Sequence, residues 1–256
     1  MHTLAYGPDS SHVGDLYLPT ASDAPVVCLF HGGFWRLPYD RSELAPVARD
    51  LCERGFAVWN VEYRRIGGGV PGWPATFHDV EAAIAHLPTL REAYPRLDLR
   101  RVILVGHSAG GHLAFWAASR IGAGGRPSAV KIVAVVGLAP LLDLHAAHDL
   151  GLGQGAVEAF LGGPPSELAD RYRMASPRSL LPLRTRQCLM HGDADAAVPI
   201  SLSRSYVDAA LRSGDDAELI ELRGADHMSF LDATGPAHAR LCGFLSLVAG
   251  RSNDAC

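Results

Sequence analysis

Short apolar runs alternate along the chain with longer segments of helical periodicity. In residues 77–90, Phe77, Val80, Ile84 and Leu87 recur every three or four positions and so share one face of a helix. Runs rich in Val, Leu and Ile, bounded by Gly, Pro or charged residues, predict buried strands between such helices. The predicted strands are 12–18, 26–30, 57–61, 102–105, 131–138, 188–190 and 218–222, and the predicted helices are 42–54, 77–90, 201–211 and 238–248, with a further helix just after residue 108.

This alternation predicts an α/β fold in which a mostly parallel central sheet is covered by helices on both faces. The first predicted strand, at 12–18, is expected to be antiparallel. One domain spanning 1–256 is expected. Within it, the segment 143–175 interrupts the alternation of strands and helices with clustered Gly and Pro residues. We interpret that segment either as a small cap over the carboxyl ends of the strands, where ligands of open α/β sheets bind, or as a surface excursion without a role.

The composition favours a small molecule as partner. The 256 residues include 23 Lys and Arg against 27 Asp and Glu, and this net charge of −4 without runs of like charge argues against nucleic acid or a membrane surface. No segment approaches the ~18 consecutive apolar residues of a membrane span, and no secretory signal is recognisable, so a cytoplasmic location is expected. The oligomeric state is left open, and no metal or cofactor is predicted. The cysteines lack C-x-x-C spacing and are expected to be free thiols: Cys28, Cys52, Cys188, Cys242 and Cys256.

Residues 102–114 read VILVGHSAGGHLA, in which an apolar run is followed by the pentapeptide GHSAG and then by a helical pattern. This is the G-x-S-x-G arrangement of a nucleophile elbow, where a serine occupies a sharp strand-to-helix turn. Such a turn forces the serine into a strained backbone conformation, and a Cβ at Gly106 or Gly110 would collide with the neighbouring strand or helix. The segment therefore predicts Ser108 as a catalytic nucleophile.

A serine hydroxyl needs a base to accept its proton and a third group to orient that base. In hydrolases built on this elbow the chain order is Ser, then Asp or Glu, then His, each in a loop after a strand. The expected base is His227, in the loop after the strand predicted to end at residue 222. The expected acid is Asp195, which fits the pattern HG-x-x-D-x-x-V-P, whereas Asp193 lies nearer the strand end and could cap the turn. Asp226 adjoins the base too closely to orient its ring and is interpreted as a loop-shaping residue.

Acyl transfer also develops an oxyanion, which backbone N–H groups must bind. One donor is expected at Ala109, directly after the nucleophile, because its amide lies at a helix N-terminus and gains from the helix dipole. The second is expected in the run HGGFW that begins at residue 31, where a glycine pair after a strand lets the main chain approach a substrate. Gly33 and Phe34 are the expected donors there, and Gly32 is the alternative.

With the glycine loop, elbow, acid loop and histidine loop in this order, the chain resembles the α/β-hydrolase superfamily over nearly its whole length. Within this superfamily, HGGFW resembles the HGG-x-W signature of arylformamidases (kynurenine formamidases) and related esterases. The runs EYRR at 62–65 and PAT at 74–76, together with Asp79, also resemble segments of these small HGG-type hydrolases. The resemblance implies a metal-independent serine hydrolase that forms an acyl-enzyme on Ser108. Its substrates would be small carboxylic esters or aryl formamides, with N-formylkynurenine as one candidate. The commonest arylformamidase form has tyrosine where this chain has Phe34, so any contact of that hydroxyl is absent.

Phe34, Trp35 and Trp73 are candidate substrate-binding walls of an apolar pocket, although aromatic residues of this size are also ordinary core residues. The two arginines of EYRR are candidates to bind a substrate carboxylate, but at least one is expected to form a structural ion pair with Glu62 or Asp79. A tight pocket near Phe34 would favour formamides or acetyl esters over long-chain esters. The alternatives are a broad-specificity carboxylesterase and, from another functional class, a non-catalytic hydrolase-fold protein that binds a ligand.

Overall fold

The computed structural model describes residues 1–67, 72–122 and 129–250. Its strands are β1 (His2–Ala5), β2 (Val13–Tyr17), β3 (Ala24–Phe30), β4 (Ala57–Val61), β5 (Leu97–His107), β6 (Ile132–Leu138), β7 (Arg186–Gly192) and β8 (Ala217–Leu222). They form one sheet in the order β1-β2-β4-β3-β5-β6-β7-β8. Strand β2 is antiparallel to both of its neighbours, whereas β3 to β8 all run parallel. The predicted sheet, with its antiparallel strand near residues 12–18, is thereby confirmed.

Helices cover both faces of this sheet. They are α1 (Ala45–Glu53), α2 (Ala75–Ala85), α3 (Leu87–Ala93), α4 (Ala109–Gly122), α5 (Leu144–Asp149), α6 (Ala156–Leu161), α7 (Pro165–Ala175), α8 (Ile200–Arg212) and α9 (Pro236–Val248). Short 3-10 helices occupy Arg41–Leu44, Pro177–Leu180 and His227–Leu231. Within the described ranges, none of these helices is long and apolar enough to cross a membrane.

Alternate residues of β3 enter two different cores. Val26, Cys28 and Phe30 pack in the core that includes side chains of α2, α4 and α8, while Val27 and Leu29 pack with α1 and α9. Side chains of a strand point alternately to the two faces of its sheet, so this strand is apolar on both. All its residues are buried, as expected of a central strand in a parallel sheet.

The free-thiol prediction holds for the cysteines that the structure describes. Cys28, Cys52, Cys188 and Cys242 form no disulfide, and Cys256 lies outside the described residues. Burial raises the pKa of the Cys28 and Cys188 thiols, so both are inert, small core residues.

Two features of the sheet were not predicted from the sequence pattern: strand β1 and the first half of strand β5. Strand β1 is an edge strand whose residues are mostly exposed, so it lacks the apolar alternation that would mark it. Strand β5 begins at Leu97, well before the predicted start at residue 102. The first half of β5 was not predicted, because its charged side chains suggest a loop. In the structure, Asp98 forms ion pairs with Arg100 and Arg101 within the strand.

The segment 143–175 folds into α5, α6 and α7. Left-handed glycines bound α6, with φ 76° at Gly155 and 87° at Gly162. Phe160 of α6 stacks on Trp35 in the loop after β3, with 4.4 Å between ring centroids. This segment therefore packs on the loop at the carboxyl end of β3, where the resemblance places part of the site.

Candidate active site

Ser108 lies in the turn between β5 and α4. Its φ of 53° is in the left-handed region that non-glycine residues rarely adopt, and its N–H donates to the Leu138 carbonyl at 2.8 Å. A Cβ at Gly106 would lie 2.1 Å from the Gly110 carbonyl oxygen, and one at Gly110 would lie 2.0 Å from that of Phe30. Both positions require glycine because α4 packs directly against the ends of β3 and β5, as the elbow pattern predicted.

The HGGFW loop after β3 turns with three successive positive φ angles. They are 91° at Gly33, 50° at Phe34 and 56° at Trp35. The N–H of Arg36 donates to the Gly33 carbonyl at 2.9 Å and closes the turn. Among the described residues, the N–H groups of Gly33 and Phe34 have no hydrogen-bond acceptor. The loop thus holds two main-chain donors free for a ligand.

Gly32 and Ala109 supply the other two predicted N–H groups. A Cβ at Gly32 would lie 2.8 Å from His107 Nδ1 and 3.3 Å from Ser108 Cβ, so the loop main chain passes directly beside the serine. The N–H of Ala109 lies at the first residue of α4. Neither N–H has an acceptor in the part of the chain that the structure describes. All four predicted donors therefore belong to the two turns that meet at Ser108.

Asp195 and His227 meet in the loops after β7 and β8. Asp195 Oδ2 lies 2.7 Å from His227 Nδ1 and 3.2 Å from His191 Nε2, and the Asp195 side chain is fully buried. Its Oδ1 accepts the N–H groups of Ala197 and Val198, each at 2.8 Å. Burial acts to raise the pKa of Asp195, but these donors together hold it well below its usual range. The carboxylate is therefore charged and orients the His227 ring through Nδ1–H.

The two neighbouring aspartates have different contacts. Asp193 Oδ1 accepts the Gly224 N–H at 2.6 Å and so ties the acid loop to the histidine loop. Asp226 caps the short 3-10 helix that follows it, accepting two of its N–H groups at 3.1 and 2.8 Å. Of these three aspartates, only Asp195 contacts the imidazole of His227 among the described residues, and the other two shape loops.

A cavity of about 140 Å³ brings the predicted groups together at this edge of the sheet. Within the described ranges, the Ser108 hydroxyl makes no hydrogen bond, and Nε2 of His227 is also free. Catalytic hydrogen bonds are often formed only once substrate is bound, so this geometry is compatible with proton transfer between the two. The lining residues are Gly33, Phe34, Tyr39, Glu43, His107, Ser108, His227 and Met228.

His107 supports His227 from the elbow. Its Nε2 lies 2.9 Å from the His227 carbonyl oxygen, and the two rings lie 4.8 Å apart between centroids. Burial lowers the pKa of His107 to about 3, and the nearby His227 adds to this effect. The ring is therefore neutral near pH 7, and Nε2 carries the proton that it donates.

Two of the three aromatic residues expected to wall the substrate pocket lie elsewhere. Trp35 is fully buried because Phe160 covers its ring. Trp73 lines a separate groove formed with side chains of α2, α4 and α7. Of the three, only Phe34 lines the cavity of Ser108. The expectation that Trp35 and Trp73 line the pocket beside Ser108 is corrected, because α6 covers the Trp35 ring and Trp73 lies in the other groove, where Arg171 of α7 lies over its ring.

Both arginines of the EYRR run form ion pairs. Arg64 Nη2 lies 2.5 Å from Asp79 Oδ1, and Arg65 Nε lies 3.4 Å from Glu62 Oε1. Glu62 Oε1 also lies 2.9 Å from Nε2 of His31, the first residue of the HGGFW loop. The predicted ion pairing is confirmed for both arginines, and the pair of Arg65 with Glu62 extends through His31 to the loop that carries the free N–H groups.

Three residues at this site were missed as functional candidates. His191 opens the HG-x-x-D pattern and lies 2.7 Å from Ser203 Oγ through Nδ1, while its Nε2 lies 2.9 Å from the Val198 carbonyl oxygen and 3.2 Å from Asp195 Oδ2. His107 is the variable residue inside G-x-S-x-G. Both could have been found from their places in these patterns. Glu43 carries no sequence signal, since only the packing of the segment after the HGGFW loop brings it to the cavity.

Sequence comparison connects the chain to a hydrolase family. Residues 14–209 match the family described as BD-FAE. A probable isoprenylcysteine alpha-carbonyl methylesterase from Oryza sativa subsp. japonica is 29% identical, over 88% of this chain and 56% of that protein. Kynurenine formamidase from Danio rerio is 23% identical, over 97% of this chain and 82% of that protein. The chain thus spans little more than half the length of the plant methylesterases that it matches. These relatives confirm the resemblance carried by HGG-x-W.

Solved structures share the fold at low sequence identity. A truncated carbohydrate esterase from gut microbiota superposes with a TM-score of 0.81 at 23% identity, covering 97% of this chain and 95% of that one. A thermophilic esterase from the Planctomycetes species Thermogutta terrifontis superposes with a TM-score of 0.76 at 21% identity, covering 99% and 94%. By the family match over residues 14–209, the chain belongs to the BD-FAE family, and it shares the α/β fold of these esterases and sequence similarity with methylesterases and formamidases.

Proposed function

We propose that the protein is a serine hydrolase that cleaves small carboxylic esters or aryl formamides through an acyl-enzyme on Ser108. The cavity carries this proposal, because Ser108, His227 and the turn of Gly33 and Phe34 line it together while Asp195 is buried behind the imidazole. Two relatives, a probable methylesterase and a formamidase, act on an ester and on a formamide respectively, which supports both of these bond types. The substrate is a small molecule, and the chemistry requires no cofactor.

In the acylation step, Ser108 Oγ attacks the carbonyl carbon of the substrate while His227 Nε2 accepts the hydroxyl proton. The Asp195 carboxylate holds Nδ1–H and stabilises the imidazolium that forms. The tetrahedral intermediate then breaks its bond to the alcohol or amine, which leaves with the proton from Nε2. The products of this step are the acylated Ser108 and the free leaving group.

In the deacylation step, water replaces the leaving group beside His227. Nε2 accepts one proton of the water as its oxygen adds to the acyl carbonyl carbon. The second intermediate breaks its bond to Ser108 Oγ, which takes the proton back from Nε2. The acid is released and the free serine is restored.

The negative oxygen of each intermediate needs donors already in place. The N–H of Ala109 and one or both of the Gly33 and Phe34 N–H groups serve this purpose, with Gly32 as the alternative. The N-terminal end of α4 adds its dipole at Ala109. Because these N–H groups have no acceptor among the described residues, no internal hydrogen bond must break before they bind the oxyanion.

Segment 143–175 supports this cavity without lining it. A Cβ at Gly153 would lie 2.4 Å from the Phe34 ring, and the Gly153 carbonyl accepts from Arg36 Nη1 at 2.8 Å. We infer that the segment is a small cap that holds the Phe34 side chain and its loop in place.

The test of the mechanism is the substitution Ser108→Ala. Turnover of p-nitrophenyl acetate should fall by about a thousandfold or more, because no other group forms the acyl-enzyme. Ser201→Ala, at an exposed position of α8, is the matched control and should keep the wild-type rate. A fluorophosphonate probe should label Ser108. Near-wild-type turnover in the Ser108→Ala variant would exclude the serine, and a folded wild-type protein that stays unlabelled would favour the non-catalytic ligand-binding alternative.

The small cavity predicts a preference for short acyl groups. Each methylene that does not fit costs binding free energy in the transition state, so kcat/KM should be at least about tenfold higher for p-nitrophenyl acetate than for the octanoyl ester. Comparable values would contradict the preference. Measuring kcat/KM for N-formylkynurenine beside acetyl and butyryl esters then decides between formamide and ester specificity.

A further inference from the structure

Among the described residues that line the Ser108 cavity, Glu43 carries the one carboxylate. This residue lies in the 3-10 helix Arg41–Leu44 that leads into α1, and it lines the same cavity as Ser108 and His227. Within residues 1–67, 72–122 and 129–250, its carboxylate takes part in no hydrogen bond or ion pair. The proposed mechanism gives this carboxylate no part, although it lies within the cavity that receives the substrate.

The neighbouring cations are engaged with other carboxylates. Arg41 Nε lies 2.8 Å from Asp15, and its Nη1 lies 3.7 Å from Glu62. Arg65 Nε lies 3.4 Å from Glu62 as well. Arg41 and Arg65 therefore pair with Asp15 and Glu62, and within the described ranges neither forms an ion pair with Glu43.

The surroundings of Glu43 favour a cationic ligand. Burial raises the pKa of Glu43, and the carboxylates of Asp40 and Glu62 raise it further, although His31 acts in the opposite direction. A cation that enters the site stabilises the charged form of a partly buried carboxylate that lies near other carboxylates. Phe34 and Tyr39 line the same cavity, and aromatic rings can also attract cations.

We propose that Glu43 forms a cation subsite in the Ser108 cavity and selects esters or amides that carry an ammonium group near the scissile bond. This inference rests on the proposed hydrolase function and names its substrate class. The same carboxylate repels anionic groups, so substrates whose only charge is a nearby carboxylate are disfavoured.

A charged and a neutral substrate of the same shape isolate this effect. Acetylthiocholine carries a trimethylammonium group where 3,3-dimethylbutyl thioacetate carries a tert-butyl group, and both release a thiol that is easily followed. Wild-type protein should favour the cationic ester by about five- to tenfold in kcat/KM, the scale of one charge interaction in a hydrated cavity. Glu43→Gln should bring this ratio to about one, and added salt should reduce it in the wild type.

The matched control is Glu53→Gln, which removes an exposed carboxylate at the end of α1 outside the cavity. It should keep the wild-type ratio. A ratio that is equal in wild type and Glu43→Gln would overturn the cation subsite while leaving the hydrolase intact.

Binding without turnover provides a second measurement. Choline and 3,3-dimethylbutanol form a charged and neutral pair whose contacts with the protein can be compared by saturation-transfer NMR. Choline should bind wild type more strongly than the neutral alcohol, and Glu43→Gln should abolish the difference. If wild type fails to hydrolyse p-nitrophenyl acetate, the proposed function fails, yet choline binding that depends on Glu43 still supports the subsite and binding that is independent of Glu43 overturns it.

Discussion

Histidines occupy two regions of the molecule in opposite chemical situations. At the carboxyl edge of the sheet, His227 lies 2.7 Å from the buried Asp195 carboxylate and opens to the cavity of Ser108. Beneath α6 and α7, His112 accepts from Trp35 Nε1 at 3.2 Å and lies 2.9 Å from a main-chain carbonyl through Nε2. Its pKa is lowered to about 4 by burial. The first region places a carboxylate against its imidazole, and the second keeps its imidazole neutral.

This difference shows why residue type alone does not identify a base. Twelve histidines are present in the chain. An imidazole gains a proton during catalysis only where a nearby negative charge stabilises the cation, and burial among aromatic rings removes that stabilisation. The loop after β7 offers two main-chain N–H groups to the Asp195 carboxylate, whereas the hydrogen-bond partners of His112 in the described residues are the Trp35 indole and a main-chain carbonyl.

The largest effect should come from removing the carboxylate of the first region. Asp195→Asn should lower kcat for p-nitrophenyl acetate by about a thousand- to ten-thousand-fold, because the amide cannot stabilise the imidazolium and favours the wrong tautomer of His227. Asp193→Asn is the matched control, and its kcat should stay within about threefold of wild type. Equal losses in the two variants would contradict the assignment of Asp195, and not Asp193, as the residue that orients His227.

In the second region, the aromatic core around His112, substitutions should lower mainly the free energy of unfolding. Phe160→Ala removes the ring that stacks on Trp35 and should lower the free energy of unfolding by about 3 to 5 kcal/mol. Leu150→Ala, at an exposed position, should change it by less than about 0.5 kcal/mol. Urea denaturation of both variants measures these values. A loss below about 1 kcal/mol for Phe160→Ala would show that α6 contributes little to this core.

The smallest effect concerns pH. Below its ordinary pKa of 6.5, His112 takes up a proton in the unfolded chain, while the folded residue stays neutral down to a pKa of about 4. Stability is therefore full above pH 6.5 and is lost as the pH falls, by about 1 to 2 kcal/mol between about pH 7 and pH 5 from this residue.

Comparing wild type with His112→Asn isolates this contribution. Urea denaturation at the two pH values should show a flatter pH dependence in the variant, although His107 contributes a slope of the same sign in both proteins. The same slope in wild type and variant would contradict the neutral state assigned to His112.

The elements that position the site could be predicted because local constraints and chain order point to the same arrangement. Gly106 and Gly110 admit no side chain, so the elbow pattern reports a packing constraint directly. The spacing of residues in the acid loop favours Asp195 over Asp193. In the structure, Asp195 Oδ2 lies 2.7 Å from His227 Nδ1. Strand β1 could not be predicted, because an exposed edge strand buries too little apolar surface to leave a pattern.

The sequence by itself determined the alternation of strands β2 to β8 with the long helices between them, and the turns that carry Ser108, Asp195 and His227, since these depend on hydrophobic periodicity and on residues adjacent in the chain. Only the tertiary structure decided which side chains line the cavity. Trp35 is buried under Phe160, and Glu43 reaches the cavity from the helix after the HGGFW loop. The physical reason is that burial and charge compensation depend on contacts between distant segments, which no local pattern records.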